Sequence, residues 1–274
     1  MKIALAQFSA VAEPAENAEL IRARVREAAG QGAELVLFPE ASMRGFGHRL
    51  DTHAEELDGP FAEHLRETAR EAGVTLAAGM FLPGEHRTDQ DGNESFAVRN
   101  TLFVTDGRGN ESAYTKIHLY DAFGFTESDT VDAGEHPVIH EMGGVKIGLA
   151  LCYDVRFPSL FTHYAREGCQ LTLVPASWAP GPGKLDHWRL LAQARALDST
   201  QFILACDQSV PSAAGVDAPE GPTGVGHSMA VSPDGRILAE ADDAPALLVV
   251  DLDLGAVEKA RTQIPVLQNA KEIR

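Results

Sequence analysis

The sequence predicts an α/β protein with mixed sheets, on three observations. Short apolar runs of strand length alternate with amphipathic helical stretches. Two hairpin signals interrupt that alternation, so antiparallel pairs accompany parallel ones, and the strands are too many for one covered sheet. No Ser/Gly-rich linker, low-complexity tract or internal repeat divides the 274 residues, so 1–274 is read as a single domain.

The elements follow in order. Residues 2–9 form a strand, and residues 16–29 a helix with Leu20, Ile21, Val25 and Ala28 on one side. Residues 34–38 form a strand that Pro39 stops. Residues 61–71 are helical with Gly73 as the stop, and 74–81 form a strand. Residues 95–105 and 112–118 are strands around Asp106-Gly107-Arg108-Gly109, the first hairpin signal. Residues 145–152 read as a buried strand and 158–167 as a helix. Strand 171–175, helix 185–199 and strand 202–206 continue the alternation. Residues 229–231 and 237–239 flank Ser232-Pro233-Asp234-Gly235, the second hairpin signal. Strand 247–252 and a short helix around 256–261 close the series. Segment 211–222, rich in Pro, Gly, Ala and acid, reads as a surface loop.

Composition narrows the function classes. At 44% hydrophobic and 23% charged, the chain has the make-up of a soluble globular protein. A formal net charge of −17 argues against nucleic acid or an anionic membrane as a partner, since both require a basic face. No apolar stretch is long enough to cross a bilayer, and the first residues lack the apolar core of a secretory signal. Cys152, Cys169 and Cys206 are an odd number without a CxxC pair, which suits reduced thiols; the expected location is the cytoplasm.

Chemistry is expected at a few positions. Cys152 ends the run Gly148-Leu149-Ala150-Leu151 and precedes a helix opened by Pro158, so it sits at a strand-to-helix elbow. Backbone N–H groups there favour a thiolate or an oxyanion. A buried core cysteine is the alternative, and it is the reading for Cys169 and Cys206. A thiol needs a base. The ten histidines supply candidates, His118, His187 and His227 among them, so a Cys–His pair stays open. Glu40 is another candidate, since it follows Leu35-Val36-Leu37-Phe38-Pro39 at the carboxyl end of a strand, where open α/β sheets bind ligands. It reads equally as a surface or helix-capping glutamate. Lys116 is either an exposed edge lysine or a fixed cation beside Glu40. His136 and His140 are four apart, but Pro137 lies between them and no HExxH pattern is present, so no metal is expected. No phosphate-binding glycine motif occurs, and no cofactor is expected.

Together these segments resemble the nitrilase superfamily, the carbon–nitrogen hydrolases. Phe38-Pro39-Glu40 is similar to the family's glutamate segment, Tyr114-Thr115-Lys116-Ile117-His118-Leu119 to its lysine segment, and Gly148 through Pro158 to its cysteine segment. The three stand in the family's order across nearly the whole chain. The resemblance implies a four-layer α-β-β-α sandwich with two mixed sheets. It implies Cys152 as nucleophile, Glu40 as general base, Lys116 as stabiliser of the tetrahedral intermediate and Glu127 as a second, positioning glutamate. It also makes the Tyr153 N–H an oxyanion donor, and implies a homodimer or higher homo-oligomer.

Cys152-Tyr153-Asp154-Val155-Arg156-Phe157-Pro158 is similar to the branch of ω-amidases and deaminated glutathione amidases. The expected substrate is therefore a small amide, an aliphatic or ω-amide of a short carboxylic acid, cleaved through a thioester with release of ammonia. Tyr153, Arg156 and Trp178 are expected to contact it, Arg156 through a forked donor set suited to a carboxylate, or else bound in a structural ion pair. Ser159, Arg189 and Trp178 depart from the family pattern, the first two around the pocket's supporting shell. The competing readings are a nitrilase acting on a small nitrile and a non-catalytic binding or scaffold protein on the same fold. The helix face Phe157, Leu160, Phe161 and Tyr164 serves either a dimer contact or the chain's own core.

Overall fold

Alternation with a period of two starts the fold. In β1 (Lys2–Gln7), Ile3 and Leu5 face one side while Ala4 and Ala6 face the other, and all four are fully buried. The structure, a computed structural model, describes residues 1–88, 94–122, 124–217 and 221–271. After β1 come α1 (Pro14–Gly30), β2 (Leu35–Leu37), α2 (Pro60–Ala72), β3 (Thr75–Thr88), β4 (Glu94–Thr105) and β5 (Glu111–Thr115). A small ribbon, β6 (Asp121–Ala122) and β7 (Phe125–Thr126), leads into β8 (Ile139–Met142) and β9 (Val145–Leu149). Then follow α3 (Pro158–Arg166), β10 (Leu171–Ala176), α4 (Lys184–Ser199), β11 (Phe202–Asp207) and α5 (Pro211–Ala214). The chain closes with β12 (Met229–Val231), β13 (Ile237–Glu240), β14 (Ala246–Asp251), α6 (Gly255–Gln263) and α7 (Val266–Asn269).

Two six-stranded sheets form, ordered β14-β1-β2-β3-β4-β5 and β13-β12-β11-β10-β9-β8. Each has a parallel centre, β1-β2-β3 in one and β9-β10-β11 in the other, with antiparallel strands outside it. Ile3, Leu5 and Leu37 of the first sheet meet Leu149, Leu173 and Leu204 of the second in a core between them. Behind the first sheet, α1 and α2 pack through Ile21, Val25, Phe61 and Leu65. Behind the second, α3 and α4 pack through Phe161, Tyr164, Trp188 and Ala192. The layers are therefore α-β-β-α, as expected. Burying one Leu or Ile is worth about 1.5–3 kcal/mol, against roughly 0–1 kcal/mol for a surface ion pair, so these three apolar layers hold the sandwich together. Among the described residues no helix is long and apolar enough to cross a membrane.

Several expectations need correction. Leu20 is 45% exposed, because Ala18, Ile21, Val25 and Ala28 already occupy the sheet-facing side of α1. Strand β5 ends at Thr115 and β9 at Leu149, so Lys116 and Cys152 lie just beyond strands rather than inside them. Segment 211–222 begins with the helix α5, and Pro211 is buried; residues 218–220 of that segment lie outside the described residues. Leu160, Phe161 and Tyr164 are consumed by the chain's own core, so that face is no docking surface. Strand β8 was not foreseen, although Gly143-Gly144, both at positive φ, turns it into β9 as a hairpin dipeptide would.

One close approach ties the fold to its functional end. A Cβ on Gly79 of β3 would stand 2.7 Å from the Ala41 N and 3.0 Å from the Glu40 Cα. The Met43 N–H also donates to the Gly79 carbonyl at 3.0 Å. We expect Gly79→Ala to push residues 39–43 off the sheet and lower the unfolding free energy by about 1–3 kcal/mol. Urea titration would show this as a lower midpoint at unchanged slope; an unmoved midpoint would contradict the close packing.

Candidate active site

The carboxyl ends of the parallel strands in both sheets open on one cavity. Glu40 arrives there from the end of β2, where Pro39 breaks the strand and the Gln208 side chain holds the Glu40 carbonyl at 2.8 Å. Cys152 follows β9 and opens a 3₁₀ turn, Cys152–Arg156, with φ at +44°. Lys116 follows β5, its N–H donating to the Asn100 carbonyl at 2.9 Å. Glu127 opens the 3₁₀ turn Glu127–Asp129 directly after β7.

These four side chains are buried: Glu40, Lys116 and Glu127 are 1%, 2% and 4% exposed, and Cys152 is 8%. Lys116 Nζ donates to Glu40 Oε1 at 3.0 Å and to both Glu127 oxygens at 2.9 Å. Asn100 Nδ2 donates to the same Glu40 oxygen at 2.8 Å, and the Ser177 N–H to the other at 2.9 Å. The Tyr120 N–H donates to Glu127 Oε2 at 2.6 Å. Burial by itself disfavours the Lys116 ammonium, but the charges of Glu127 and Glu40 outweigh it and hold its pKa well above the ordinary value. The Cys152 thiol is pushed well up, by burial first and by the Glu40 charge second, with Lys116 pulling the other way. The cavity therefore offers a protonated thiol, a carboxylate beside it and a fixed cation.

The elbow is braced by Asp154, fully buried. Its Oδ2 accepts from the Leu151 N–H at 2.8 Å and from the Tyr114 hydroxyl at 2.7 Å. Its Oδ1 accepts from the His118 N–H at 3.1 Å and lies 2.7 Å from His118 Nδ1. Tyr114 and His118 flank Lys116 on either side, so one carboxylate locks the cysteine segment to the lysine segment. Asp207, at the end of β11, accepts from the Trp178 N–H and the Val225 N–H at 2.8 Å each. Burial pushes the Asp207 carboxyl up to about 8, against those two donors.

Comparison with known proteins identifies the family. The carbon-nitrogen hydrolase family model matches residues 2–262. The chain belongs to the carbon–nitrogen hydrolase family. Hydrolase Rv0480c of Mycobacterium tuberculosis (strain ATCC 25618 / H37Rv) is 49% identical over 98% of this chain and 95% of its own. A deaminated glutathione amidase of Escherichia coli O157:H7 is 32% identical over 99% and 97%. Among solved structures, a mutant of the amidase from Nesterenkonia sp. AN1 is 30% identical, with a TM-score of 0.76 over 97% of this chain and 98% of that one. That structure shows the result of Michael addition of acrylamide at its active-site cysteine.

In this carbon–nitrogen hydrolase the expected residues do not all meet. Glu40, Lys116, Glu127, Cys152, Tyr153 and Trp178 line the cavity. Arg156 is not among its lining residues: its guanidinium lies over the Trp178 ring, 5.3 Å from the centroid. A 3₁₀ turn has three residues per turn, so a residue four ahead of Cys152 is rotated well off its face. Nor does Arg156 make an ion pair among the described residues, so the structural ion pair expected of it is not formed. No histidine lines the cavity among the described residues, which removes the Cys–His pair. His140 is buried with Nδ1 3.0 Å from Ser112 Oγ, while His136 is 84% side-chain exposed, so those two share no site.

Asn100, Tyr120, Asp154, Ser177 and Lys184 were missed. Asp154 had a local signal, three residues after the turn-opening Leu151 N–H that it caps. The others act across the sheets and left none. We expect no Cys152 thiolate at rest up to about pH 8.5, the ordinary thiol value. Thiolate absorbance near 240 nm, taken as unaltered protein minus Cys152→Ala, checks this; a step near neutrality would contradict the raised thiol.

Proposed function

We propose that this carbon–nitrogen hydrolase cleaves a small amide through a thioester on Cys152, with Glu40 as general base and acid. The observation that carries the reading is the Lys116 ammonium held at 3.0 Å from Glu40 and 2.9 Å from Glu127, in the cavity that the Cys152 elbow also lines. A raised thiol needs a base, and the Glu40 carboxylate lies against it. Glu40 takes the thiol proton as sulfur bonds to the amide carbon, and the carbonyl oxygen gains the charge. Lys116 stabilises that oxyanion. The Tyr153 N–H, among the first donors of the 3₁₀ turn and without a partner inside it, is the second donor. Glu127 positions Lys116 and Glu40-H protonates the departing nitrogen, so that the C–N bond breaks and ammonia leaves. Water then gives a proton to Glu40 and its oxygen to the acyl carbon; the C–S bond breaks, the carboxylic acid leaves, and Glu40-H returns that proton to the Cys152 sulfur.

The aromatic walls of the cavity, Tyr120, Phe125 and Trp178, support an aliphatic or ω-amide of a short carboxylic acid. The free state of Cys152, Cys169 and Cys206 supports a reducing compartment, the cytoplasm. A homodimer belongs to the same reading, with Leu190 and Leu197 on α4 and Ile264 beyond α6 as its apolar surface, 65%, 49% and 64% exposed.

Cys152→Ala is expected to lower ammonia release from short amides by about 10³-fold or more, and Lys116→Met by about 10²–10³-fold. Intact mass spectrometry during turnover should show an acyl adduct on the unaltered protein and none on Cys152→Ala. Substantial turnover by Cys152→Ala would sink the scheme. Light scattering should give twice the chain mass, reduced toward the monomer by Leu190→Lys with Leu197→Lys; a monomer at every concentration would remove the dimer.

A further inference from the structure

Asp207 is a buried acid that the reaction scheme leaves unused. It ends β11, is fully buried and does not line the cavity. It makes no ion pair among the described residues, and burial pushes its carboxyl up to about 8. An acid kept inside without a cation is costly. Each of its oxygens is spent on a backbone donor. Oδ1 accepts from the Trp178 N–H and Oδ2 from the Val225 N–H, both at 2.8 Å. An asparagine would be cheaper to bury, but it has one carbonyl oxygen, and its amide would face the second donor. A carboxylate therefore suits a need to hold both segments at once.

Both segments lead to the chemistry. The Trp178 N–H and the Ser177 carbonyl belong to one planar trans peptide and point to opposite sides of it. Asp207 holds one side, and on the other the Ser177 carbonyl lies 4.0 Å from Cys152 Sγ. The Ser177 N–H donates to Glu40 Oε2 at 2.9 Å. On the second arm, Val225 belongs to segment 221–226, whose Pro222 lines the cavity and accepts from the Ser177 hydroxyl at 2.7 Å. The Trp178 ring has separate anchors: its Nε1 donates to the Lys184 carbonyl at 2.9 Å, and the Trp188 ring lies 5.3 Å away.

We propose that Asp207 is a positioning residue for this hydrolase. Through the Ser177–Trp178 peptide it aims the backbone groups that hold Glu40 and face the Cys152 thiol, and through Val225 it steadies the wall at Pro222. This rests on the amidase reading above and adds to it a residue outside the cavity. Because the Trp178 ring is anchored elsewhere, loss of Asp207 falls on the chemical step more than on substrate binding.

The test compares Asp207→Asn and Asp207→Ser with the unaltered enzyme on a short amide at about pH 9, where the native carboxyl is ionised. Counted per molecule that takes up an acyl group, kcat is expected to fall about 10- to 100-fold with KM within about threefold, as for a small misplacement of reacting groups. The thermal midpoint of Asp207→Asn is expected to hold or rise, since a charge without a cation has left the interior. A merely structural residue would not make activity and stability move apart. Two variants are used so that a fold lost in one leaves the other to decide. A kcat within about threefold of the unaltered enzyme in a folded variant overturns the role of Asp207 while leaving amide hydrolysis standing. So does a KM that rises as far as kcat falls, or an Asp207→Asn midpoint that drops along with kcat. Absence of ammonia release from short amides by the unaltered enzyme removes the amidase reading, and this inference with it.

Discussion

The buried ammonium of Lys116 is the constraint on which the site depends. Taking an isolated ion out of water costs several kcal/mol, and only close opposite charge offsets it. Here the offset comes from Glu40 and Glu127, far apart in the chain. Each carboxylate is in turn satisfied by fixed donors, Asn100 and the Ser177 N–H for one and the Tyr120 N–H for the other. Removing any member leaves a charge or a dipole stranded in a dry cavity, which costs more than the pair contributes. The cluster is thus satisfied as a whole or not at all.

That requirement reaches back into the fold. Glu40 and Asn100 come from the first sheet, while Cys152 and Ser177 come from beyond strands of the second. The apolar layer between the sheets sets their separation. Asp154 adds a polar tie between the two, through Tyr114 of β5 and the Leu151 N–H after β9. Apolar burial supplies the energy and Asp154 the register.

Much of this was legible in the sequence, for identifiable reasons. Period-two alternation in β1 and the apolar face Ile21, Val25 and Ala28 of α1 are local properties, and both elements formed close to where they were expected. Gly73 stops α2 in the left-handed region, as a C-terminal glycine does. The elbow at Cys152 was visible because Pro158 opens α3. Glu40 and Lys116 owed their selection to an ordered resemblance, since nothing near Lys116 distinguishes it from an edge lysine. Its partners arrive only when the chain folds. Arg156 was chosen for the opposite reason: its chemistry suited a carboxylate, but the winding of the turn set its guanidinium over the Trp178 ring. Lys184 had no signal beyond being a lysine in a Pro/Gly-rich stretch.

The backbone at Cys152 has a consequence for how this chain can change over time. Cys152 and Ala41 both adopt positive φ, +44° and +56°, where a side chain costs roughly 1–2 kcal/mol and glycine almost nothing. A drift toward greater thermal stability therefore has a ready path at position 152, the one place where glycine erases the thiol. Relief of the backbone at position 152 would therefore take the thiol out of the cavity wall.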